Sequence, residues 1–365
     1  MRVVQVNYAS DPALKSADEL LDRYTTLTGW AHAIAAAGAD VLTVQQFHSS
    51  ANVTRNGVSY TFGDFSTIAA AAAAFTPDIV HVNGVTFPVE TWRLRRRIGR
   101  PQRAALHLVV QSHSDGGDIG RAPMLRIAGR LCRSSVDAFL FAVPEHAQAW
   151  RDAGFIAPTQ RVHTVMPAST DVRPMPRGDA RSRSGVTGSP AIVWVGRLNA
   201  NKDPLTILAA FEQFASRASD ATLTMIYHTD ELLPQVRERI IGSSTLRDRV
   251  RLVGAVPHDQ MSAYFSAADI FLVGSHHEGS GYSLMEALAC GAIPVVTNIP
   301  TFRALTGDVG HLWSPGDVEG CVRALDSTAA DERPRVIEHF EKNLTWKAVG
   351  ERAVDIYRAV IMAHG

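Results

Sequence analysis

Residues 271–291 of this 365-residue chain read FLVGSHHEGSGYSLMEALACG. The apolar run that begins at Phe271 has the length of a buried strand, and the glycines that follow it end the strand in a loop. From about Tyr282 to Cys290 the apolar spacing is helical, and Gly291 is typical of the position just beyond a helix C-terminus. A buried strand, a glycine loop and a helix in this order form the repeating unit of a parallel α/β sheet.

The same alternation continues in both directions and predicts an α/β fold whose parallel strands are covered by helices. In the first half we predict strands at Val3–Asn7, Asp40–Val44, Ile79–Val82, Ala105–Gln111, Ala138–Ala142 and Val162–Met166, and helices that include Gly29–Ala37 and Pro123–Arg133. In the second half we predict strands at Ala191–Val195, Thr222–Tyr227, Val250–Val253, Ile270–Val273 and Ile293–Val296. Two Rossmann-like domains in tandem account for this pattern.

The boundary between the two domains is predicted in a stretch rich in Pro, Gly, Ser and Arg. Residues 171–190 read DVRPMPRGDARSRSGVTGSP and show no apolar period, which is typical of a linker. We therefore predict a first domain over residues 1–172, a linker over 173–190 and a second domain over 191–344. Ligands of open parallel sheets bind beyond the carboxyl ends of the strands, so two such domains with their sheets facing a central cleft suit group transfer.

The composition excludes several classes of protein. Lys plus Arg and Asp plus Glu both number 36, so the formal net charge is zero and the chain has no overall positive charge that would attract nucleic acid. The three cysteines, Cys132, Cys290 and Cys321, are widely spaced without a CxxC pair, which indicates neither a disulfide framework nor a zinc site. The N-terminus lacks the apolar region of a signal peptide, and Ala69–Phe75 is too short to span a bilayer. We expect a cytoplasmic protein.

Two loops of the second domain have the composition of a phosphate site. Gly279 and Gly281 let the backbone approach a ligand closely, and the N–H groups at the start of the following helix favour an anion. In VWVGRLNANKDP, residues 193–204, a strand ends in a glycine turn that is followed by Arg197 and Lys202. Two cations at the carboxyl end of a strand can stabilise the charge that develops on a departing diphosphate.

Two carboxylates of the same region are too far apart for a glycosidase pair. Glu278 and Glu286 are eight positions apart, or roughly 12 Å if the intervening chain were helical at about 1.5 Å per residue. Glycoside hydrolases place their two carboxylates about 5 to 9.5 Å apart across one bond. The spacing suits two carboxylates that bind separate hydroxyl-bearing parts of an extended ligand, such as the sugar and the ribose of a nucleotide sugar.

These motifs resemble those of the retaining GT-B glycosyltransferases of the large family 4 type, also described as glycosyl transferases group 1. The matching runs are VGRLNANKDP at 195–204, the whole stretch VRLVGAVPHDQMSAYFSAADIFLVGSHHEGSGYSLMEALACGAIPVVTNIP at 250–300, and GHLWSPGD at 310–317. The last segment, 345–365, is similar to the closing helix of the family, which packs back on the N-terminal domain. The N-terminal half is similar only through strand order and a few positions.

The resemblance implies a role for each residue of the donor loops. Arg197 and Lys202 would bind the donor diphosphate, and Glu286 the ribose hydroxyls. Glu278, with the backbone of residues 279–282, would hold the donor sugar. The uncharged residues that we expect to bind the donor are Gly29, Gly196, Gly279, Ser280, Gly281 and Tyr282.

In the first domain the resemblance covers two positions. His113, in VVQSHSD at 109–115, matches the family histidine that reaches the transferred sugar from the acceptor side; a structural histidine is the alternative. Gly29 is a weaker match to the glycine loop near the diphosphate. His276 and His277 are interpreted as neighbours of the donor loop, since no third metal ligand accompanies them.

Together these features predict a retaining glycosyltransferase that moves a sugar from a UDP- or GDP-linked donor to a hydroxyl acceptor, either a sugar or a lipid-linked molecule. The chain has no evident pair of aspartates near the donor loop, so no metal and no cofactor beyond the co-substrate are expected. Two alternatives stay open. Departures from the family around Ser169 and His228 fit a non-catalytic subunit that binds a sugar nucleotide, and a GT-B-shaped epimerase is the other.

A basic cluster, WRLRRRIGR at 92–100, lies on a predicted helix, and Arg126, Arg130 and Arg133 share one face of a later helix. A solvated surface is the ordinary interpretation of such a cluster. The alternative is peripheral contact of Arg93–Arg100 with the inner face of the cell membrane, because each basic residue near anionic lipid contributes roughly 1 kcal/mol. A lipid-linked acceptor would make that contact useful.

Overall fold

The computed structural model describes residues 1–98, 106–113, 119 and 122–363. The chain divides into two compact units. The first comprises Met1–Ser169 together with Trp346–Gly365, and the second comprises Thr170–Thr345. The chain therefore leaves the first unit once and returns to it at Trp346. Within the described residues no helix combines the length and the apolar character needed to cross a membrane.

Each unit is built on one sheet. The strands of the first unit are β1 (Arg2–Asn7), β2 (Asp40–Gln46), β3 (Ala51–Arg55), β4 (Val58–Gly63), β5 (Ile79–Asn83), β6 (His107–Gln111), β7 (Ala138–Phe141) and β8 (Arg161–Thr164). Those of the second are β9 (Ala191–Gly196), β10 (Thr222–Tyr227), β11 (Val250–Gly254), β12 (Ile270–Val273), β13 (Ile293–Thr297) and β14 (His311–Trp313).

The helices fall between these strands. In chain order they are α1 (Ala17–Arg23), α2 (Thr25–Ala36), α3 (Phe65–Ala74), α4 (Pro88–Arg97), α5 (Pro123–Cys132), α6 (His146–Asp152), α7 (Arg177–Ser184), α8 (Pro204–Ala215), α9 (Leu233–Ile241), α10 (Ser244–Arg249), α11 (Met261–Ala267), α12 (Tyr282–Ala289), α13 (Pro300–Thr306), α14 (Val318–Asp326), α15 (Arg333–Asn343) and α16 (Trp346–Met362). The α/β class predicted from the sequence is confirmed.

The sheet of the first unit has the strand order β3-β4-β2-β1-β5-β6-β7-β8 among the described residues. The chain crosses from one side of β1 to the other between β4 and β5, so β1 and β5 flank the point where the strand order reverses. This is where doubly wound sheets bind ligands. All six predicted strands lie in this sheet, although Ala105, predicted to start one of them, lies outside the described residues.

The edge of the first sheet carries one antiparallel pair of strands. The strands β3 and β4 pair antiparallel and were not predicted. They are joined by Asn56 and Gly57, whose φ angles are 48° and 81°. Asn-Gly with positive φ at both positions is the preferred two-residue hairpin turn, because its twist matches that of the flanking strands.

The second sheet has the order β11-β10-β9-β12-β13-β14 among the described residues, and each pair in it is parallel. Counted from β9 this is the 3-2-1-4-5-6 order of the Rossmann fold, whose reversal point lies between the first and fourth strands. Here those strands are β9 and β12, which pair through Ile192 and Ile270. The loops that follow β9 and β12 are therefore neighbours.

The segment predicted as a linker over residues 173–190 instead contains a helix of the second unit. In α7 the side chains of Ala180 and Ser184 are buried, and Val186 just beyond is buried as well. Arg181 donates a hydrogen bond to the carbonyl of Gly188 at 3.0 Å. The apolar contacts come from one alanine and one valine, which are too few to produce a visible helical period in an Arg-rich sequence.

The helix α16 belongs to the core of the first unit. It packs against α2, and the backbones come so close that a Cβ on Gly350 would lie 2.3 Å from the carbonyl oxygen of Ala33. Tyr357 is fully buried beside Trp30, whose indole N–H donates to the Tyr357 hydroxyl at 3.3 Å. The segment 345–365, expected to pack on the N-terminal domain, thus supplies part of that domain's hydrophobic core.

Candidate functional site

The loop after β9 brings Lys202 back beside the end of the strand. The N–H of Lys202 donates to the Asn199 side chain at 3.1 Å, and Asp203 ends the loop with a positive φ of 44° as the N-cap of α8. A Cβ on Gly196 would lie 3.3 Å from Cδ of Lys202. The absence of a side chain at Gly196 therefore leaves room for the lysine stem.

Lys202 and Glu278 form an ion pair. Lys202 Nζ contacts Glu278 Oε1, and Ser275 donates its hydroxyl to the same oxygen at 2.7 Å. Both charged side chains are only 15% exposed, so the attraction between them is screened less than at the surface. The two residues, which the resemblance assigned to different parts of a donor, are brought into direct contact.

Arg197 differs from Lys202 in its surroundings. It lies directly after β9, is exposed, and its side chain makes no hydrogen bond or ion pair with any residue that the structure describes. A guanidinium in this position keeps all its donors available for a phosphate or carboxylate. The donor loops thus offer one unengaged cation and one cation that a ligand must share with Glu278.

Asn201 joins the two loops and was missed by sequence reasoning. Its side-chain oxygen accepts from the N–H of His277 at 2.9 Å, and its amide nitrogen donates to the His277 carbonyl at 3.1 Å. His276 also donates its N–H to the Asn201 carbonyl at 2.8 Å. The two histidines thus contact Asn201 through their backbones, and the His276 ring also lies 3.3 Å from Asp203 Oδ2. An asparagine two positions after another in a polar loop was the only sequence signal.

The loop of residues 274–281 leads into the N-terminus of α12. Gly281 is the N-cap residue with a φ of 63°, and a Cβ there would lie 2.6 Å from Leu305. The preceding Ser280 is buried, whereas Tyr282 is exposed. Because Gly281 has no side chain, it offers no cap to the N–H groups of the first turn. Such an uncapped N-terminus carries partial positive charge that favours an anion.

Glu286 lies in the second turn of α12 and is buried. Burial raises the pKa of its carboxyl, and the hydrogen bond from His258 opposes that rise. Nε2 of His258 donates to Glu286 Oε1 at 2.6 Å, while the rest of the imidazole is mostly exposed. His258 was not singled out from the sequence, since it lies 28 positions away in an unremarkable proline loop.

In the first unit, polar side chains line the carboxyl ends of neighbouring strands. Asn7 pairs in register with Gln45 on one side and with Asn83 on the other, and Asn83 pairs with Gln111. Asn83 Nδ2 donates to Asn7 Oδ1 at 2.8 Å. His113 Nε2 donates to Asn83 Oδ1 at 2.7 Å. This amide row, comprising Asn7, Gln45, Asn83 and Gln111, could have been noticed because each amide closes an apolar strand.

The amide row opens into a pocket of ≈300 Å³ that lies wholly within the first unit. His113, Asn7 and Asn83 contribute to its wall, and so does Tyr24, whose hydroxyl donates to Asp11 at 3.1 Å. The Asn7 amide nitrogen is buried and has no hydrogen-bond partner within the described residues. The pocket therefore offers hydrogen-bonding groups and no lysine or arginine among its described lining residues.

His81 extends this polar region into the core. Nε2 lies 3.2 Å from Gln111 Oε1, and Nδ1 lies 2.6 Å from the Tyr357 hydroxyl. Because the amide oxygen can only accept, Nε2 carries the proton and the Tyr357 hydroxyl donates to Nδ1. Burial lowers the pKa of His81 to about 3, with a smaller contribution from the charge of His113. His81 is therefore neutral at pH 7.

Gly29 does not lie in a loop that approaches a ligand, so this part of the expected site is corrected. It lies in the second turn of α2, which begins at Thr25 rather than at Gly29. A Cβ there would be 2.3 Å from Cζ2 of Trp346. The packing of α2 against α16 explains the glycine. Within the part of the chain that the structure describes, no group of three or more His, Cys, Asp or Glu residues could hold a metal ion.

Comparison with known proteins finds a family whose sequence model matches most of the second unit. Residues 177–343 match the sequence model of the glycosyl transferases group 1 family. A 2-deoxystreptamine N-acetyl-D-glucosaminyltransferase from Streptomyces fradiae is 30% identical over 180 residues, which are 47% of this chain and 42% of the relative. A GDP-mannose:cellobiosyl-diphosphopolyprenol alpha-mannosyltransferase from Xanthomonas campestris is 23% identical over 337 residues, 88% of this chain and 84% of the relative.

The chain thus spans less than half the length of the Streptomyces relative and most of the Xanthomonas relative. Among solved structures, sucrose-phosphate synthase from Thermosynechococcus elongatus superposes with a TM-score of 0.70 at 18% identity, covering 99% of both chains. The resemblance seen in the donor loops is confirmed, and the fold is that of GT-B proteins. Residues 177–343 of this chain are therefore similar to the glycosyl transferases group 1 family.

Proposed function

We propose that the protein is a retaining glycosyltransferase that moves a sugar from a nucleotide-diphosphate donor to a hydroxyl acceptor. The observation that carries the proposal is the Lys202–Glu278 ion pair, set beside exposed Arg197 and the uncapped N-terminus of α12. All of these groups follow β9 and β12, the strands at the reversal point of the second sheet. They lie within the segment that matches the family.

On the donor side, charge complementarity favours a diphosphate. Arg197 is unengaged, and Lys202 needs only to shift its ammonium from Glu278 toward the ligand. The released carboxylate of Glu278 then accepts hydrogen bonds from sugar hydroxyls. Cations and N–H dipoles that are fixed before the reaction stabilise the leaving diphosphate, and removal of one such group typically costs about 10²–10³ in turnover. This scheme requires neither a protein nucleophile nor a metal ion.

Glu286 is the proposed partner of the ribose. A buried carboxylate that accepts one hydrogen bond from His258 has further lone pairs for the two hydroxyls of a ribose. Burial raises the pKa of Glu286 because it removes water from the carboxylate. Each hydrogen-bond donor that approaches the carboxylate stabilises its ionised form, and ribose hydroxyls supply such donors. The Xanthomonas relative uses a GDP-linked donor by its name. A UDP- or GDP-linked sugar is accordingly the proposed donor for this chain.

On the acceptor side, we assign the amide-lined pocket of the first unit. Its described walls carry amides, the His113 imidazole and the Asp11–Tyr24 pair, which match a molecule rich in hydroxyl groups. The relatives' names specify 2-deoxystreptamine and a cellobiosyl-diphosphopolyprenol, both of which carry ring hydroxyls. Here His113, with Nε2 fixed by Asn83, presents Nδ1 or the ring edge to the transferred sugar.

The first test is thermal stabilisation by UDP, GDP, ADP and CDP. A ligand at about 100 times its dissociation constant stabilises the folded state by roughly 2.7 kcal/mol. We expect one nucleotide to stabilise the wild type and the control Glu338→Gln, which changes an exposed acid on α15. The Glu286→Gln variant should lose most of this stabilisation. Absence of a shift with all four nucleotides contradicts a donor site.

The second test separates catalysis from binding. With the nucleotide identified, its sugar conjugates are incubated with mono- and disaccharide acceptors, and the anomeric configuration of the product is read by NMR. Net retention is expected. Tight nucleotide binding with no transfer to any acceptor supports the non-catalytic subunit instead, and inverted product contradicts the retaining assignment.

A further inference from the structure

The helix α5 carries an exposed apolar stripe. Its Met124, Ile127 and Leu131 are 77%, 56% and 74% exposed. The opposite face is held against the domain, where Gly129 is buried and a Cβ on it would lie 2.6 Å from the ring of Phe155. At about 100° per residue the three exposed side chains fall within about 60° of one another. A helix of a globular protein normally turns such a stripe toward the core.

Exposed apolar side chains concentrate on α5 and its neighbour α4, which packs against it. Of the eleven large hydrophobic residues that are exposed in the described part of the chain, five lie on these two helices, and α4 contributes Val89 and Trp92. Single exposed hydrophobic residues are ordinary, but a cluster marks an interaction surface.

The charged residues within the sequences of α4 and α5 are all basic except Glu90. On α5, Arg126 and Arg130 are exposed, and Arg130 lies about 60° round the helix from Ile127. These residues line a surface groove of ≈380 Å³ together with Leu131. No acidic residue occurs in the sequence of α5, and α4 has only Glu90.

The helix α4 adds exposed guanidinium groups. Arg93, Arg96 and Arg97 are exposed, and Arg96 lies 4.5 Å over the ring of Trp92. Arg95 forms an ion pair with Asp137, with 2.7 Å between Nη1 and Oδ2, and does not belong to the exposed surface. The predicted basic cluster also includes Arg100, which lies outside the described residues. We call the surface formed by Trp92, the arginines 93, 96 and 97, and the exposed residues of α5 the α4–α5 face.

We propose that the α4–α5 face docks on an anionic lipid bilayer, with the Met124, Ile127 and Leu131 side chains entering the boundary between headgroups and acyl chains and the arginines binding lipid phosphates. An apolar stripe bordered by arginines and a tryptophan complements a surface that is negatively charged above and apolar beneath. A protein partner must place acceptors at fixed positions opposite the arginines that it buries, whereas a lipid surface supplies phosphate at any position. This proposal is independent of the proposed function.

The test is flotation of the full chain with vesicles of phosphatidylcholine alone and with 30% phosphatidylglycerol. We expect binding only to the anionic vesicles, weakened by added salt. The triple variant Met124→Ser, Ile127→Ser, Leu131→Ser should reduce the partition coefficient more than tenfold. The double variant Arg126→Gln, Arg130→Gln should reduce it about 30-fold, since each arginine near anionic lipid contributes about 1 kcal/mol.

Matched controls change exposed residues elsewhere. Ile241→Ser with Met362→Ser removes apolar groups, and Arg237→Gln with Arg247→Gln removes charge; both should bind vesicles like the wild type. Circular dichroism establishes that each variant is folded. Equal vesicle binding by wild type and the triple variant overturns the proposal. So does a lack of binding to anionic vesicles, or sedimentation equilibrium that shows a dimer of the wild type and a monomer of the triple variant.

Discussion

Acidification should weaken the first unit, and the buried His81 contributes a defined part of the loss. His81 is fully buried and neutral, and its ring is fixed between Tyr357 and Gln111. Burial lowers the pKa of His81 from 6.5 in the unfolded chain to about 3 in the folded unit. Between these values the unfolded state binds a proton that the folded state excludes. The stability is therefore complete above pH 6.5 and is lost as the pH falls toward 3.

The expected size follows from this difference. Each pH unit below 6.5 costs about 1.4 kcal/mol of unfolding free energy, so the loss at pH 5 is about 2 kcal/mol. Urea unfolding at pH 7 and pH 5 measures it, with hydrogen exchange of peptides from β5 and α16 reporting on the first unit. His81→Gln removes the titrating ring. Between pH 7 and pH 5, the unfolding free energy of this variant should fall by about 2 kcal/mol less than that of the wild type.

His258→Gln, which changes an exposed histidine of the second unit, is the matched control and should keep the wild-type pH dependence of the first unit. If wild type and His81→Gln lose the same unfolding free energy between pH 7 and pH 5, a neutral buried His81 is refuted.

Further predictions concern the two units separately. Lys202→Ala should lower turnover by about 10²–10³ with the fold intact by circular dichroism, because it removes a donor-loop cation; near-normal turnover would contradict its role. Gly29→Ala should cost about 1–3 kcal/mol in thermal unfolding, since the added Cβ meets Trp346, and Trp346→Leu should relieve much of that cost. Asn83→Leu should raise KM for the acceptor, because it frees the His113 ring, while the affinity for the nucleotide stays at the wild-type value.

The strands were predictable because buried parallel strands are nearly continuous apolar runs, and every strand inferred from such a run exists in the structure. The omissions have physical causes. The run in β14 is only three residues long, and α7 buries little beyond Ala180. The hairpin at Asn56 and Gly57 has a recognised turn signal, but its strand β3 alternates partly buried and exposed residues and forms no apolar run.

The positions of the candidate site residues at the strand ends were predictable, and their contacts were less so. Glycines, cations and carboxylates that follow strands mark the carboxyl edge of a sheet, and this identified Arg197, Lys202 and Glu278. That Lys202 would pair with Glu278, 76 positions away, depends on β9 and β12 being neighbours. Gly29 shows the opposite case, where a glycine suggested a ligand and a tryptophan 317 positions later explains it.

The position of α16 bears on the order in which the protein matures during synthesis. Trp346 and Tyr357 fill the core beside α2, yet they are translated after the whole second unit. On the ribosome, residues 1–169 keep part of their hydrophobic face exposed until α16 has been translated, whereas residues 170–345 can fold before that. The N-terminal unit is thus the last to finish folding, and a nascent chain arrested before residue 346 presents that apolar face to chaperones.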